Sequence, residues 1–280
     1  MENTATAGGP QLVQAIAWIN NQWGDPKNLG ICLSDRGLRL AEGVFETLLI
    51  KAGTAQLLDQ HLERWRRGAQ TIGLPQPPDR AWLTNWLAEA IKRSGIVAGA
   101  LRLNWSQGDG GSRGLGLTEG EATGRFWATL HAHEPRFQLQ STMVSTRVQR
   151  WADSSLRHCK TFAYGEMALA KREANQAGYH DALLLSSAGG LCCGSSANLL
   201  VQREGRWLTP PLASGCLPGV MRGEAIGRGI AIETALGDAL TPGEPALLIN
   251  SLDCKPITAA ALPLAKPLFE TLLQLGGPGA

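Results

Sequence analysis

Apolar residues recur along this chain with two periods, and the switches between them divide it into elements. The run Val44-Phe-Glu-Thr-Leu-Leu-Ile-Lys51 reads as a strand, Ala52-Gly-Thr54 as a turn, and 55–58 as the returning arm of a hairpin. Leu62, Trp65, Ala69 and Ile72 then fall three and four residues apart, which predicts a helix capped by Asp59 and ended by Gly73 and Pro75. A second helix is predicted over 80–93, with Trp82, Trp86, Leu87, Ala90 and Ile91 on its apolar side. Strands are expected at 101–106 and 125–131, joined by a glycine-rich loop, Gln107-Gly-Asp-Gly-Gly-Ser-Arg113-Gly.

Beyond the polar run His133-Glu-Pro-Arg136 the pattern changes. A strand is expected near 141–149, a helix over 165–177 closed by Gly178, and strands over 182–186, 191–203 and 206–209. A helix after Gly219, a strand over 246–250 and a C-terminal helix from about Lys266 complete the chain. Strands and helices mix without strict alternation, which argues for an α+β fold in two subdomains, 16–133 and 137–280, behind a small and polar extension at 1–15. No repeat of fixed period is present.

Composition narrows the classes. Across 280 residues, 44% apolar and 18% charged side chains suit a globular chain with a substantial core. A net charge of +2 supplies no basic tract for nucleic acid, and no apolar run reaches the length of a membrane span, so neither partner is expected. The first residues lack the positive start and apolar stretch of a signal peptide. The six cysteines are irregularly spaced and form no CxxC pair, which points to reduced thiols in the cytoplasm and to no metal site. Nine tryptophans against two tyrosines read as packing.

The candidate chemistry lies in the second half. Lys160 stands just before the predicted helix at 165. A lysine held in a dry pocket loses basicity and becomes a nucleophilic amine able to form an imine. Two turns follow in order that could hold an anion. Gly194-Ser195-Ser196 offers hydroxyls and free backbone, and Gly219-Val220-Met221-Arg222 opens a helix whose first N–H groups point outward.

This ordered set, Lys160-Thr-Phe-Ala-Tyr164-Gly-Glu166, Gly194-Ser-Ser-Ala-Asn198, Thr209-Pro-Pro and Leu217-Pro-Gly-Val-Met-Arg222, resembles the class IV (fold-type IV) pyridoxal-phosphate enzymes. The likeness runs from about Trp18 to about Pro256, and leans toward the 4-amino-4-deoxychorismate lyases. It implies pyridoxal 5'-phosphate as cofactor, carried on Lys160, which also serves as base toward the substrate Cα proton. It implies that Arg64, in the pattern His61-Leu-Glu-Arg64, meets the phosphate together with Ser195, Ser196, Val220 and Met221. Tyr164 would bond the ring oxygen, and Asn198 would close its turn through backbone contacts.

One position departs from the pattern. The family carries Glu-x-x-x-x-Asn, with the carboxylate on the pyridine nitrogen; five residues before Asn198 stands Cys193. A thiol supports a protonated ring weakly, and this disfavours amino transfer more than elimination. The loop from Gln107 to Gly114 resembles the lyase loop Arg-Gly-x-Gly-Gly-Arg-Gly, with Gln107 in place of the first arginine and Arg113 placed to bind a substrate carboxylate. Met221, where aminotransferases usually carry threonine, is also lyase-like. The resemblance thus implies a homodimer acting on a small molecule by β-elimination of pyruvate, giving 4-aminobenzoate. The alternatives are a class IV aminotransferase of branched-chain or D-amino acids, and a non-catalytic member of the fold.

Overall fold

Residues 14–110, 114–116 and 123–273 are described by the structure, a computed structural model. The first half is one antiparallel sheet with two helices against it. In chain order it comprises β1 (Ala15–Ile19), β2 (Gln22–Gly24), α1 (Arg36–Leu40), β3 (Gly43–Lys51), β4 (Thr54–Ala55), α2 (Leu58–Thr71), α3 (Arg80–Ser94), β5 (Gly99–Ser106) and β6 (Arg125–Ala132). The strand order is β2-β1-β6-β5-β3-β4.

The second half holds an eight-stranded sheet built from β7 (Thr142–Arg150), β8 (Asp181–Ser186), β9 (Leu191–Gly194), β10 (Asn198–Arg203), β11 (Arg206–Thr209), β12 (Ala231–Glu233), β13 (Ala246–Ile249) and β14 (Cys254–Pro256). Helix α4 (Gly165–Gln176) connects β7 to its parallel neighbour β8, α5 (Val220–Gly227) follows β11, and α6 (Leu262–Leu273) ends the described chain. The fold is α+β. Among the described residues no helix is long and apolar enough to cross a membrane.

Strand β3 shows how the halves join. Its run is apolar on both faces, as a strand buried on both sides requires. Val44, Leu48 and Ile50 pack with Leu62, Trp65 and Ala69 of α2 in the first core, whereas Leu49 packs with Leu200, Ile249 and Phe269 of the second half. Seen from α3, Trp86 stacks on Trp23 at 5.2 Å while Trp18 and Trp82 meet Phe126 at 5.5 and 5.0 Å, so these four tryptophans pack together; Trp151 stands exposed.

Several local expectations change. Asp59 does not cap α2: Leu57 takes the capping position with φ 52° and no side-chain bond, and Asp59 instead pairs with Arg80 at the surface. The segment Asp35–Leu40, read without a helix, forms α1, because the Asp35 carboxylate accepts the Gly37 N–H at 2.8 Å. The strand stretch expected over 191–203 is two strands, β9 and β10, separated at Ser195–Ala197 where the glycine-serine turn is read. Helix α6 starts earlier, at Leu262, with Pro267 inside it.

Candidate active site

A cavity of about 570 Å³ lies between the halves, of the size that takes a small cofactor with its substrate. Its walls include Phe45, Thr47, Arg64 and Arg102 from the first half. The second half contributes Lys160, Tyr164, Cys193 and the stretch Gly194–Asn198, together with Gly219, Val220 and Met221.

Lys160 sits in the connection from β7 to α4 and is half-buried. Its Nζ donates to the Tyr164 hydroxyl at 3.0 Å and lies 4.4 Å from the centre of the Phe45 ring. The Tyr164 ring meets Phe45 edge-on at 5.1 Å. Aromatic faces hold an ammonium by cation–π attraction and keep its neighbourhood dry. The amine is thereby aimed into the cavity.

Arg64 projects from α2, 6% exposed. Its Nε and Nη2 donate to the two oxygens of Glu46 at 2.8 and 2.6 Å, and Nη1 donates to the Pro218 carbonyl at 3.0 Å. A guanidinium has five N–H donors, so two remain for a ligand. His61 bonds the same carboxylate through Nδ1 at 2.7 Å. Burial alone would push Glu46 up, but Arg64 and His61 outweigh it and hold the carboxyl at about 2. Burial keeps His61 low, hence neutral. Glu46 was missed by the motif reading; its signal is a single acid inside an otherwise apolar strand.

Opposite Arg64 the chain reverses into α5. Gly219 precedes the helix without a side-chain cap, which leaves the first N–H groups, those of Val220 and Met221 included, to face the cavity. A Cβ at Gly219 would fall 1.9 Å from the Asn198 side-chain oxygen, so only glycine allows this approach. Asn198 donates to the Leu217 carbonyl at 2.9 Å and fixes the turn. Arginine donors and a helix N-terminus thus converge near Pro218, a pairing suited to a phosphate.

The remaining residues read from the motifs are distributed unevenly. Ser195 lines the cavity, but its hydroxyl donates to Asp181 at 2.6 Å; Ser196 is exposed, and its carbonyl accepts from Asn250 at 3.3 Å. Cys193 lies in the wall, opposite Asn198 on one side and Leu184 on the other. The pairing of β8 with β9 shifts by one residue there, so Cys192 and Cys193 enter one apolar cluster with Cys216. The sulfur of Cys193 pushes the Cys192 thiol up to about 12, and Cys192 and burial push Cys216 up as well, so both stay protonated. The carboxylates of the lining, Glu166 and Asp253, belong to the first turn of α4 and to the segment before β14.

Gln107 is buried with neither side-chain atom bonded and does not line the cavity; Arg113 lies outside the described residues. Strand β5 supplies a different arginine. Arg102 stacks 3.7 Å above Phe45, spends Nε on Asn104 at 2.8 Å, and has its basicity lowered by burial. Only the register of β5 against β3, which sets Arg102 opposite Thr47, brings it into the wall.

The residues fit pyridoxal phosphate: an amine beside a hydroxyl, and a phosphate corner with two spare N–H groups, in one cavity whose wall also holds a thiol. Comparison with known proteins agrees. The Bacillus subtilis aminodeoxychorismate lyase is 27% identical over 247 residues, 85% of this chain and 83% of that one. The structure of Escherichia coli branched-chain amino acid aminotransferase superposes with a TM-score of 0.81 at 17% identity, covering 93% and 94% of the two chains. A hypothetical aminotransferase from Mycobacterium tuberculosis in PLP-bound form gives 0.77 at 20%, covering 92% and 98%. The amino-transferase class IV family matches residues 43–253, and the chain belongs to that family, the pyridoxal-phosphate enzymes that its motifs resemble.

Proposed function

We propose that the protein is a 4-amino-4-deoxychorismate lyase that eliminates pyruvate and leaves 4-aminobenzoate. The observation that carries this reading is Cys193 in the cavity wall, within a cluster of neutral thiols and apolar side chains. When bound, pyridoxal phosphate supplies an electron sink for the bond cleaved at the amine-bearing carbon. A thiol in place of a carboxylate at position 193 leaves that sink shallow. Elimination tolerates this, because it needs one proton removed and a leaving group on the next carbon, while amino transfer must also return a proton to the cofactor.

The chain's own groups then divide the work. The Lys160 amine carries the cofactor and takes the proton, steadied by the Tyr164 hydroxyl. Arg64 and the N-terminus of α5 hold the phosphate. Arg102, stacked over Phe45 in the cavity wall, is suited to a substrate carboxylate, and Arg113 is proposed for the same task. Aromatisation of the substrate ring supplies the driving force. The same reading includes a cytoplasmic homodimer: all six cysteines are free thiols, and the side chains of Leu38 in α1 and of Leu115 are exposed.

The test is to supply enzymatically made aminodeoxychorismate and measure 4-aminobenzoate together with pyruvate. Borohydride reduction should place the pyridoxyl label on Lys160, and Lys160→Ala should lose turnover by at least about 10²-fold while the fold survives. Rapid amino transfer from branched-chain or D-amino acids to a 2-oxo acid, without 4-aminobenzoate, would favour the aminotransferase. A chain that binds no chromophore would point to the non-catalytic alternative.

A further inference from the structure

Lys160 is the working amine of the proposed site, yet little in its own half of the molecule fixes it. Its backbone is held from the other side. Phe45 donates its N–H to the Lys160 carbonyl at 2.9 Å, Phe162 donates its N–H to the Gly43 carbonyl at 3.0 Å, and Val44 and Thr161 form an antiparallel bridge between these bonds. Along 43–45 the other edge of β3 is already taken by β5, through the pairs Gly43–Ser106, Val44–Trp105 and Phe45–Asn104. The Lys160 segment therefore extends the first sheet as a short added strand, on the edge that β4 occupies further along. The same strand presents Phe45 to the Lys160 amine, so β3 governs both ends of the lysine.

The ring of Phe162 locks this arrangement. It rests on Gly43 and Gly37, and it lies 5.4 Å from Trp127. A Cβ at Gly43 would stand 2.1, 2.5 and 2.7 Å from three atoms of that ring. Gly43 has no left-handed backbone to demand glycine, and the three nearest atoms its Cβ would meet all belong to Phe162. Its lack of a side chain lets the ring of the residue two after the lysine close onto β3.

We infer that Gly43 and Phe162 are positioning residues for Lys160, a ring-on-glycine clasp that sets the amine from the opposite half of the molecule. The inference rests on Lys160 being the cofactor lysine. A substitution at Gly43, more than a hundred residues away in sequence, then changes the chemistry of Lys160 without touching any ligand.

Gly43→Ala is the test. In the holoenzyme kcat should fall, on the order of 10- to 10²-fold for a displacement of about an ångström, while KM changes little. The pH at which the bound cofactor's absorbance titrates should move, and in the full chain stripped of cofactor the rate of Lys160 labelling by an amine-reactive reagent should change. Adding Phe162→Leu, which shortens the ring, should restore both readouts at least in part. A merely structural clasp would lower the melting temperature and leave the titration and labelling rate at their wild-type values. That result, or a double variant no better than Gly43→Ala alone, overturns the inference. If Gly43→Ala does not fold, Phe162→Leu alone must show the same shifts at smaller size, and unchanged values there overturn it equally. If the wild-type chain carries no pyridoxyl label, the functional reading fails first, and the labelling rates of the stripped chains still decide the positioning.

Discussion

The wall contributed by β3 and α2 buries a carboxylate, a guanidinium and an imidazole in mutual contact; the wall contributed by β9 buries thiols and no charge. Glu46 is fully buried, and burial would neutralise it if it stood alone. Arg64 grips it with two hydrogen bonds and His61 with one, and the carboxyl stays ionised. In the cluster behind Cys193, Cys192 and Cys216 are pushed the other way and remain neutral thiols. The first wall can offer directed positive charge to a dianion because its own charges are already compensated. The second can only pack against a ring. One cavity thus has a polar anchor and a soft face.

The largest way to break this contrast is to remove the charge at the centre of the first wall. Glu46→Gln leaves Arg64 buried beside a neutral amide, and losing one partner of a buried pair costs about 3–5 kcal/mol. The loss should appear in urea melts with or without cofactor. An arginine serving only the phosphate would be expendable in the stripped protein. Arg64 is not, since Arg64→Ala strands Glu46, so that variant should lose stability and cofactor together. In the cluster behind the other wall, Cys216→Ala removes one small buried group and should cost markedly less. Equal losses on the two walls would erase the distinction.

Acid titration attacks the same wall more gently. Glu46 sits at about 2 in the folded chain against an ordinary 4.5, so its ionised form binds its partners only in the native state. That contribution is complete above about pH 4.5 and disappears as the pH falls toward 2, and the gap is worth about 3 kcal/mol. Stability measured between pH 5 and 2 should drop more steeply in the wild type than in Glu46→Gln. Parallel curves would mean that another carboxylate governs the acid limb.

Much of this contrast was legible before the fold was seen, though not its causes. Lys160, Tyr164 and the two glycine turns are local in sequence, and their order already suggested one site. Helices α2 and α3 announced themselves by spacing, because a buried face repeats every three to four residues. Glu46 did not, because its partners arrive from α2 only after β3 and that helix have packed. Arg102 needed the register between β5 and β3, which is a tertiary fact. The grouping of Cys192 with Cys193 needed the one-residue shift against β8, since an unbroken strand would send neighbours to opposite faces. Asp59 failed as a cap because Leu57, at positive φ, had already turned the chain into α2.

The smallest effect sharpens the soft wall. Cys193→Glu would place a carboxylate beside Cys192, Leu184 and Asn198, in an apolar cluster of the cavity wall. If Cys193 faces the ring nitrogen, the bound cofactor becomes that partner: a proton is held between carboxylate and nitrogen, and the sink deepens. A charge-assisted hydrogen bond of about 1.5–3 kcal/mol converts to a change of roughly tenfold to a hundredfold in amino transfer relative to elimination. The stripped variant should at the same time be less stable than its holo form by a wider margin than wild type, since the ring nitrogen of the bound cofactor relieves the buried acid. The two activities, the cofactor spectrum and melts of both forms report on one variant. A well-folded Cys193→Glu enzyme with an unchanged ratio of transfer to elimination would show that the thiol packs beside the ring without governing its protonation, and the soft wall would then lose its part in choosing the reaction.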